Sequence, residues 1–330
     1  MMKKISLVSV LFISVILGFS FTPAFGNEKA FPKIVSIGTG SIGGAYNMVG
    51  VTVSKYWNKD IGLRAKVIPG LNLSNLVRFD KGNMDMIVSA SSWGLAAWEG
   101  REDFGFTKPI RSFRVLCYIY DDIWYFVSLK KSGLNNISDL KGKRVGCGAK
   151  AAVFDKIIGN RIEANGLKYF GEDTDIKKVY TSWQDMARLL GDGRIDAILG
   201  GISGSVPHPA IRELMEENDL TAVEFNKAAI EYESKLFPVG VIKKDQFPFL
   251  EKDYYGINAG RASIVIREDF SDDFAYMLTK TIHENLKKMG EENPYWQYAD
   301  KHNDLLTYES GLPYHPGAIK YWKEIGAWKR

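Results

Sequence analysis

The segment Gly38-Thr-Gly-Ser-Ile-Gly-Gly44 is where residue type and spacing first suggest chemistry. Its glycines let a backbone come close to a bound molecule, and the hydroxyls of Thr39 and Ser41 add donors. An apolar run at residues 34–37 precedes it and a helical pattern at 45–57 follows it. Amides at the start of such a helix favour negative charge, so the arrangement predicts an anion site. The spacing Gly38-x-Gly40-x-x-Gly43 is that of a dinucleotide fingerprint, but no acidic residue closes the second strand, which ends at Ile68-Pro69-Gly70. The Gly-Lys-Ser/Thr of a phosphate loop is missing as well. Other reactive side chains do not assemble. His208, His283, His302 and His315 are scattered, with no metal-ligand spacing, and Gly201-Ile-Ser-Gly204 lacks the first spacing of a nucleophile elbow. Asp85 and Asp196 stand before apolar runs and read as turn or capping residues. Tyr46, Trp93, Trp124 and Trp183 sit near expected loop ends, where they would line an apolar, stacking pocket.

The elements that must position these residues come in two similar sets. Ile37-Gly-Thr-Gly-Ser-Ile-Gly-Gly-Ala-Tyr46 returns without a gap as Val145-Gly-Cys-Gly-Ala-Lys-Ala-Ala-Val-Phe154, an offset of 108. Lys81-Gly-Asn-Met-Asp85 is echoed by Asp192-Gly-Arg-Ile-Asp196, an offset of 111. Both read as strand, glycine loop, helix and a later strand, which predicts two α/β lobes facing each other across a cleft. In the first set, strands are expected at 34–37, 65–68 and 84–88. In the second they are expected at 144–146, 177–181, 195–199 and 221–225. Residues 114–120 and 123–129 read as two strands, or as one crossing between lobes, parted only by Asp121 and Asp122. A second crossing is expected at 257–266, and a long amphipathic helix, capped by Ser271, over 271–289.

Met1-Met-Lys-Lys4, an apolar run to Phe21 and the small residues Ala24 and Gly26 predict a secretory signal peptide cut after Gly26. The mature chain is then expected in the periplasm, with no lipid anchor because neither Cys117 nor Cys147 lies near the cut. Both cysteines fall in expected strands and read as buried free thiols. A net charge of +4 spread without long basic runs argues against a nucleic-acid partner.

The signal segment, the glycine loop, Asp139-Leu-Lys-Gly-Lys-Arg-Val145 and Asp192-Gly-Arg-Ile-Asp-Ala197 together resemble the TAXI-type solute receptors of TRAP transporters. The tail Leu312-Pro-Tyr-His-Pro-Gly-Ala-Ile-Lys-Tyr-Trp-Lys-Glu-Ile-Gly326 is the most specific match, similar to that family's His-Pro-Gly-Ala-Ile-x-Tyr signature. The resemblance implies an α/β, two-lobed periplasmic binding protein fold of type II, each lobe a mixed sheet flanked by helices and joined by a hinge. Lobe I would comprise residues 27–120 and 258–330, and lobe II residues 121–257. It further implies a non-enzymatic monomer without cofactor or metal. Such a receptor closes on a small organic anion, a carboxylate or amino-acid-like solute, and delivers it to the membrane permease subunits. The family's usual Thr-Gly-Gly-Ser-x-x-Asn loop is here Pro69-Gly-Leu-Asn-Leu-Ser-Asn75, its Gln-Ser-Asp is Ala90-Ser-Ser92, and its second-lobe Gly-Ser-Gly is Lys150-Ala-Ala152. Polar anchors are thus exchanged for aromatics and one lysine. The candidate ligand-binding set is Thr39, Gly40, Ser41, Tyr46, Asn75, Ser89, Ser91, Trp93, Trp124, Lys150, Trp183 and Gly201. Lys150 is expected to close on the anion from the second lobe. An exported hydrolase-like enzyme and a ligand sensor for a membrane signalling protein are the alternative readings.

Overall fold

The computed structural model describes residues 31–148, 150, 152–226 and 237–329. The expected signal peptide, residues 1–26, lies outside the described residues, and Pro32–Arg330 form one unit. The first half runs β1 (Ile34–Thr39), α1 (Ala45–Ile61), β2 (Arg64–Pro69), α2 (Asn72–Asp80), β3 (Met86–Ala90) and α3 (Ser91–Glu99). The long strand β4 (Phe113–Leu129) leads to the second half: β5 (Arg144–Gly146), α4 (Ala152–Ala164), β6 (Lys177–Val179), α5 (Trp183–Gly191) and β7 (Ala197–Ser203). Then follow β8 (Val206–Pro207), α6 (Pro209–Glu217), β9 (Leu220–Val223), β10 (Val239–Ile242) and β11 (Tyr254–Arg267). The chain ends in α7 (Asp272–Glu284), α8 (Leu286–Glu292), α9 (Pro294–Lys301) and α10 (Pro316–Glu324).

The internal echo is visible in strand register. β1 lies parallel between β2 and β3 with Ile37 opposite Met86, and β5 lies parallel between β6 and β7 with Val145 opposite Ala197. The two aspartates noted in the sequence do the same job in each half. Asp85 Oδ2 accepts from the Ser36 backbone N–H at 2.7 Å, and Asp196 Oδ2 accepts from the Arg144 backbone N–H at 2.7 Å. Each carboxylate therefore ties one strand to its parallel neighbour just before their paired residues begin, through a charge-assisted bond.

β4 and β11 join the halves. They run antiparallel from Phe113 opposite Arg267 to Trp124 opposite Ile257. β11 pairs with β3 at one end and with β10 at the other, while the far half of β4 pairs with β7 and β9. Residues 113–129 form one continuous strand because both aspartates that interrupt the apolar pattern find partners, on opposite faces as strand alternation requires. Asp121 takes Arg261 Nε at 2.7 Å; Asp122 takes hydroxyls, described below. Register shifts punctuate β11 around Gly260, whose φ of +107° suits glycine and whose added Cβ would come within 2.8 Å of the Ser92 backbone nitrogen.

Helices cover the sheet by the expected periodicity. α1 buries Val49, Val53, Tyr56 and Trp57, and the Trp57 indole donates to Leu278 O at 3.2 Å, docking α1 on α7. The helix expected over 271–289 divides at Asn285, which has left helical geometry (φ −106°, ψ 5°) and donates through Nδ2 to Asp60 Oδ2 at 2.6 Å. Ser271 does cap α7, accepting from Phe274 N. Cys117 and Cys147 are both buried free thiols.

The tail closes the open edge of β4. Val115 N donates to Pro313 O and His315 N donates to Val115 O, each at 2.9 Å. His315 is fully buried. Its Nδ1 accepts from Gly317 N, so Nε2 carries the proton and donates to Phe270 O at 3.1 Å. Pro316 occupies the first helical position, and Gly317 is required because a Cβ there would lie 1.9 Å from Asp272 O. The Tyr321 hydroxyl meets His283 Nδ1 at 2.8 Å and the Trp322 indole donates to Leu116 O at 3.0 Å. Every distinctive residue of that motif is engaged in packing.

Candidate functional site

The strand-to-helix loops of both halves converge on a cleft that encloses about 210 Å³. One wall is Gly40, Ser41, Gly44, Ala45 and Tyr46 from the β1–α1 loop, with Gly70, Leu71 and Asn72 from the β2–α2 loop. The floor is Asp122 and Trp124 of β4. The opposite wall is Trp183 at the start of α5, Gly201 to Ser203 of β7, and His208 before α6. Gly44 caps α1 without any side-chain bond, so no capping side chain occupies the amides of its first turn.

Of the expected residues, Gly40, Ser41, Tyr46, Trp124, Trp183 and Gly201 line this cleft. The others sit behind it or away from it. Thr39 is buried, its hydroxyl accepting from Asn47 Nδ2 at 3.1 Å and its carbonyl from Asn75 Nδ2 at 2.9 Å. Asn75 thus holds the glycine loop in shape from beneath. Ser89 donates to Asn72 Oδ1 at 3.0 Å, bracing a lining residue, and Ser91 Oγ accepts from the Arg261 backbone N–H at 2.9 Å. Trp93 belongs to the core, edge-on to Phe104 with ring centres 5.4 Å apart. Buried polar groups near loop ends need partners, and these groups find them in backbone and in neighbouring side chains. Lys150 is exposed, its ammonium 5.7 Å from the centre of the Tyr180 ring, and it is not among the lining residues.

The charge in the cleft is instead negative. Among the described residues Asp122 is the only ionised side chain lining it, with neither lysine nor arginine among the lining residues. Tyr46 of α1 donates to its Oδ2 and Ser203 of β7 to its Oδ1, each at 2.5 Å. The carboxylate is therefore shared between the two walls. Burial pushes it up to about 6, against the opposing effect of the two hydroxyls. Burial also holds the Tyr46 phenol well above its usual value, helped by the charge of Asp122. His208 stacks on Trp183, ring centres 4.5 Å apart and planes within 23°, and its Nδ1 accepts from Ala210 N at 3.3 Å as the cap of α6. Burial pulls His208 down to about 4, so the ring is neutral.

The sequence passed over Asp122, Ser203, His208, Leu71 and Asn72. One signal was present: an acidic residue inside an otherwise apolar crossing strand has to be satisfied by something specific. Ser203 and Asp122 are bonded, but no imidazole joins them among the described residues, so a nucleophile–base–orienter relay is not assembled. Among the described residues no group of three or more His, Cys, Asp or Glu side chains is placed to hold a metal. None of the described helices is long and apolar enough to cross a membrane.

Among solved structures, PhnD1 from Prochlorococcus marinus in complex with methylphosphonate matches at 14% identity and TM-score 0.51, over 90% of this chain and all of that one. The periplasmic aliphatic sulphonate binding protein SsuA from Escherichia coli matches at 14% identity and TM-score 0.46, over 89% of this chain and 84% of that one. The architecture is the two-lobed α/β fold of periplasmic binding proteins, with β4 and β11 as the strands that join the lobes. A match to the NMT1-like family runs from residue 37 to residue 326, through both strand–loop–helix sets, the joining strands and the tail, and the chain belongs to that family.

Proposed function

We propose that this chain is a solute-binding receptor of the cell envelope that closes its lobes on a small organic molecule and hands it to a membrane permease. The observation that carries the reading is the cleft itself. Both walls are loops at strand ends, the floor is a strand common to both lobes, and the lining is aromatic with few, well-placed polar groups. Closure would hinge on β4 and β11, with lobe I formed by residues 27–120 and 258–330 and lobe II by 121–257. The signal segment, cut near Gly26, would deliver the chain to the periplasm.

For the partner we propose a TRAP-type permease, supported by the resemblance of the Leu312–Gly326 tail to the TAXI signature. The solute would carry a carboxylate seated against Ser41 and the first-turn amides of α1. Mass spectrometry of the molecule retained by the purified protein identifies the solute. Small-angle scattering with and without it should then show a smaller radius of gyration in the bound form. Chemical conversion of the solute by the protein alone, or binding with no compaction, would refute the receptor reading. Uptake by cells that carries on undiminished without this chain, in the presence of a TRAP permease, would refute the partner.

A further inference from the structure

We propose that Asp122 is the subsite for a protonated nitrogen of the solute, so that the cleft selects an amine- or amidine-bearing molecule over a dicarboxylate. The inference rests on the receptor reading and sharpens it. Asp122 is 7% exposed, lines the cleft, and among the described residues has the neutral hydroxyls of Tyr46 and Ser203 as its side-chain partners. Arg261, which follows the β11 residue opposite Asp122, is spent on the neighbouring carboxylate of Asp121 on the other face. A buried charge without a counter-charge is costly, and burial has already moved this one up to about 6. It is ionised at neutral pH all the same, and a ligand cation would supply the missing charge.

The surroundings favour the same group. Each carboxylate oxygen accepts one hydroxyl and keeps a lone pair for a further donor. Trp124, Trp183 and Tyr46 line the same space, and the faces of such rings attract ammonium and guanidinium groups. A carboxylate at the far end of the solute can still meet the start of α1, so a zwitterion satisfies both walls. A dicarboxylate of similar length would bring its second negative charge against Asp122, which like-charge repulsion opposes.

Three probes that differ only in their charged groups separate these possibilities: phenethylamine, phenylalanine and 3-phenylpropionate, titrated by calorimetry into the exported protein at neutral pH. The two nitrogen-bearing probes should bind at least about tenfold more tightly than 3-phenylpropionate. Asp122→Asn should remove that preference and Asp121→Asn should keep it. Equal or tighter binding of 3-phenylpropionate, failure of both nitrogen-bearing probes to bind, or a preference that survives Asp122→Asn overturns the subsite. Should Asp122→Asn fail to fold, the ranking of the three probes on the unaltered protein decides. Compaction on binding, measured by scattering in the same samples, belongs to the receptor reading and does not depend on which probe wins.

Discussion

The two lobes are built on one plan and equipped differently. Ser36 and Arg144 occupy the same place, 108 residues apart, and each gives its backbone N–H to an aspartate that opens the neighbouring strand. The loops that follow then part ways. The lobe I loop enters the cleft through Gly40, Ser41 and the first turn of α1, whereas Lys150 of the equivalent lobe II loop stands in solvent beside Tyr180. Among the described residues, lobe II reaches the cleft by other elements, the start of α5, the end of β7 and His208. Repetition of a scaffold therefore carries over strand pairing, which backbone and one carboxylate decide. It does not carry over the lining, which each loop decides for itself.

Asp122, which both walls share, gives the largest expected effect. Its carboxyl sits at about 6 in the folded chain against 3.8 as the ordinary value, so between those limits the folded state holds a proton that the unfolded state has released. Stability contributed at this site therefore falls as pH rises through that window. Asp122→Asn should be more stable than the unaltered chain above the window, by up to about 3 kcal/mol, with the gain shrinking as pH falls toward about 4. His208, held near 4 by burial, titrates with the opposite sign in the same window in both proteins and drops out of the difference. Around Asp122, Tyr46, Tyr120 and Tyr295 are all held above their usual values by burial, and the neighbouring Asp121, whose charge adds to the rise at Asp122, is present in both proteins. Urea unfolding of both proteins across this pH range checks it, and a gain that does not change with pH would show that Asp122 is not penalised by burial.

A smaller effect tests the scaffold side of the comparison. Asp85→Ala and Asp196→Ala each remove a charged acceptor from a strand amide, for a loss of about 2 kcal/mol. The two losses should agree within about 1 kcal/mol, since each carboxylate also holds the side chain of the residue whose amide it takes, Ser36 Oγ at 2.8 Å for Asp85 and Arg144 Nε at 3.1 Å for Asp196. Hydrogen bonds from Arg144 hold the Asp196 carboxyl below the usual range, so its share of stability is present at neutral pH and lost as pH falls through its depressed value. Markedly unequal losses would mean that the repeat is one of register without one of energetics.

The smallest effects test the lining. Trp183→Ala should weaken binding of the retained solute by about 1.5 kcal/mol, roughly tenfold, by removing one aromatic wall. Lys150→Ala should leave calorimetric affinity within about 0.5 kcal/mol of the unaltered protein. A large loss at Lys150 would show that closure brings its loop into the cleft and would restore the symmetry that the described structure lacks.

Much of this is legible in the amino-acid sequence alone. The glycine loops and the paired aspartates announced the repeat because those features are local, as is strand periodicity in β4 and β11. Asp122 was hidden because two adjacent aspartates look like a turn; only Tyr46, far off in sequence, and Ser203 make one of them a buried floor residue. Asn285 ended a helix that periodicity would have continued, through a bond to Asp60 from another element. Thr39, Asn75, Ser89 and Ser91 have the residue types of a ligand site. The side-chain hydrogen bonds they make go to holding loops, a distinction that depends on burial and not on residue type.

The tail motif has a bearing on how such chains are classified. Its histidine, glycine, tyrosine and tryptophan are committed to one edge of the sheet and to α7, with no atom of theirs in the cleft wall. A badge worn on the chassis records lineage and is silent about cargo. Chains sorted by it would share an ancestor and a frame while differing freely in what they carry, and a catalogue of transport specificities would have to be compiled from the short cleft loops instead.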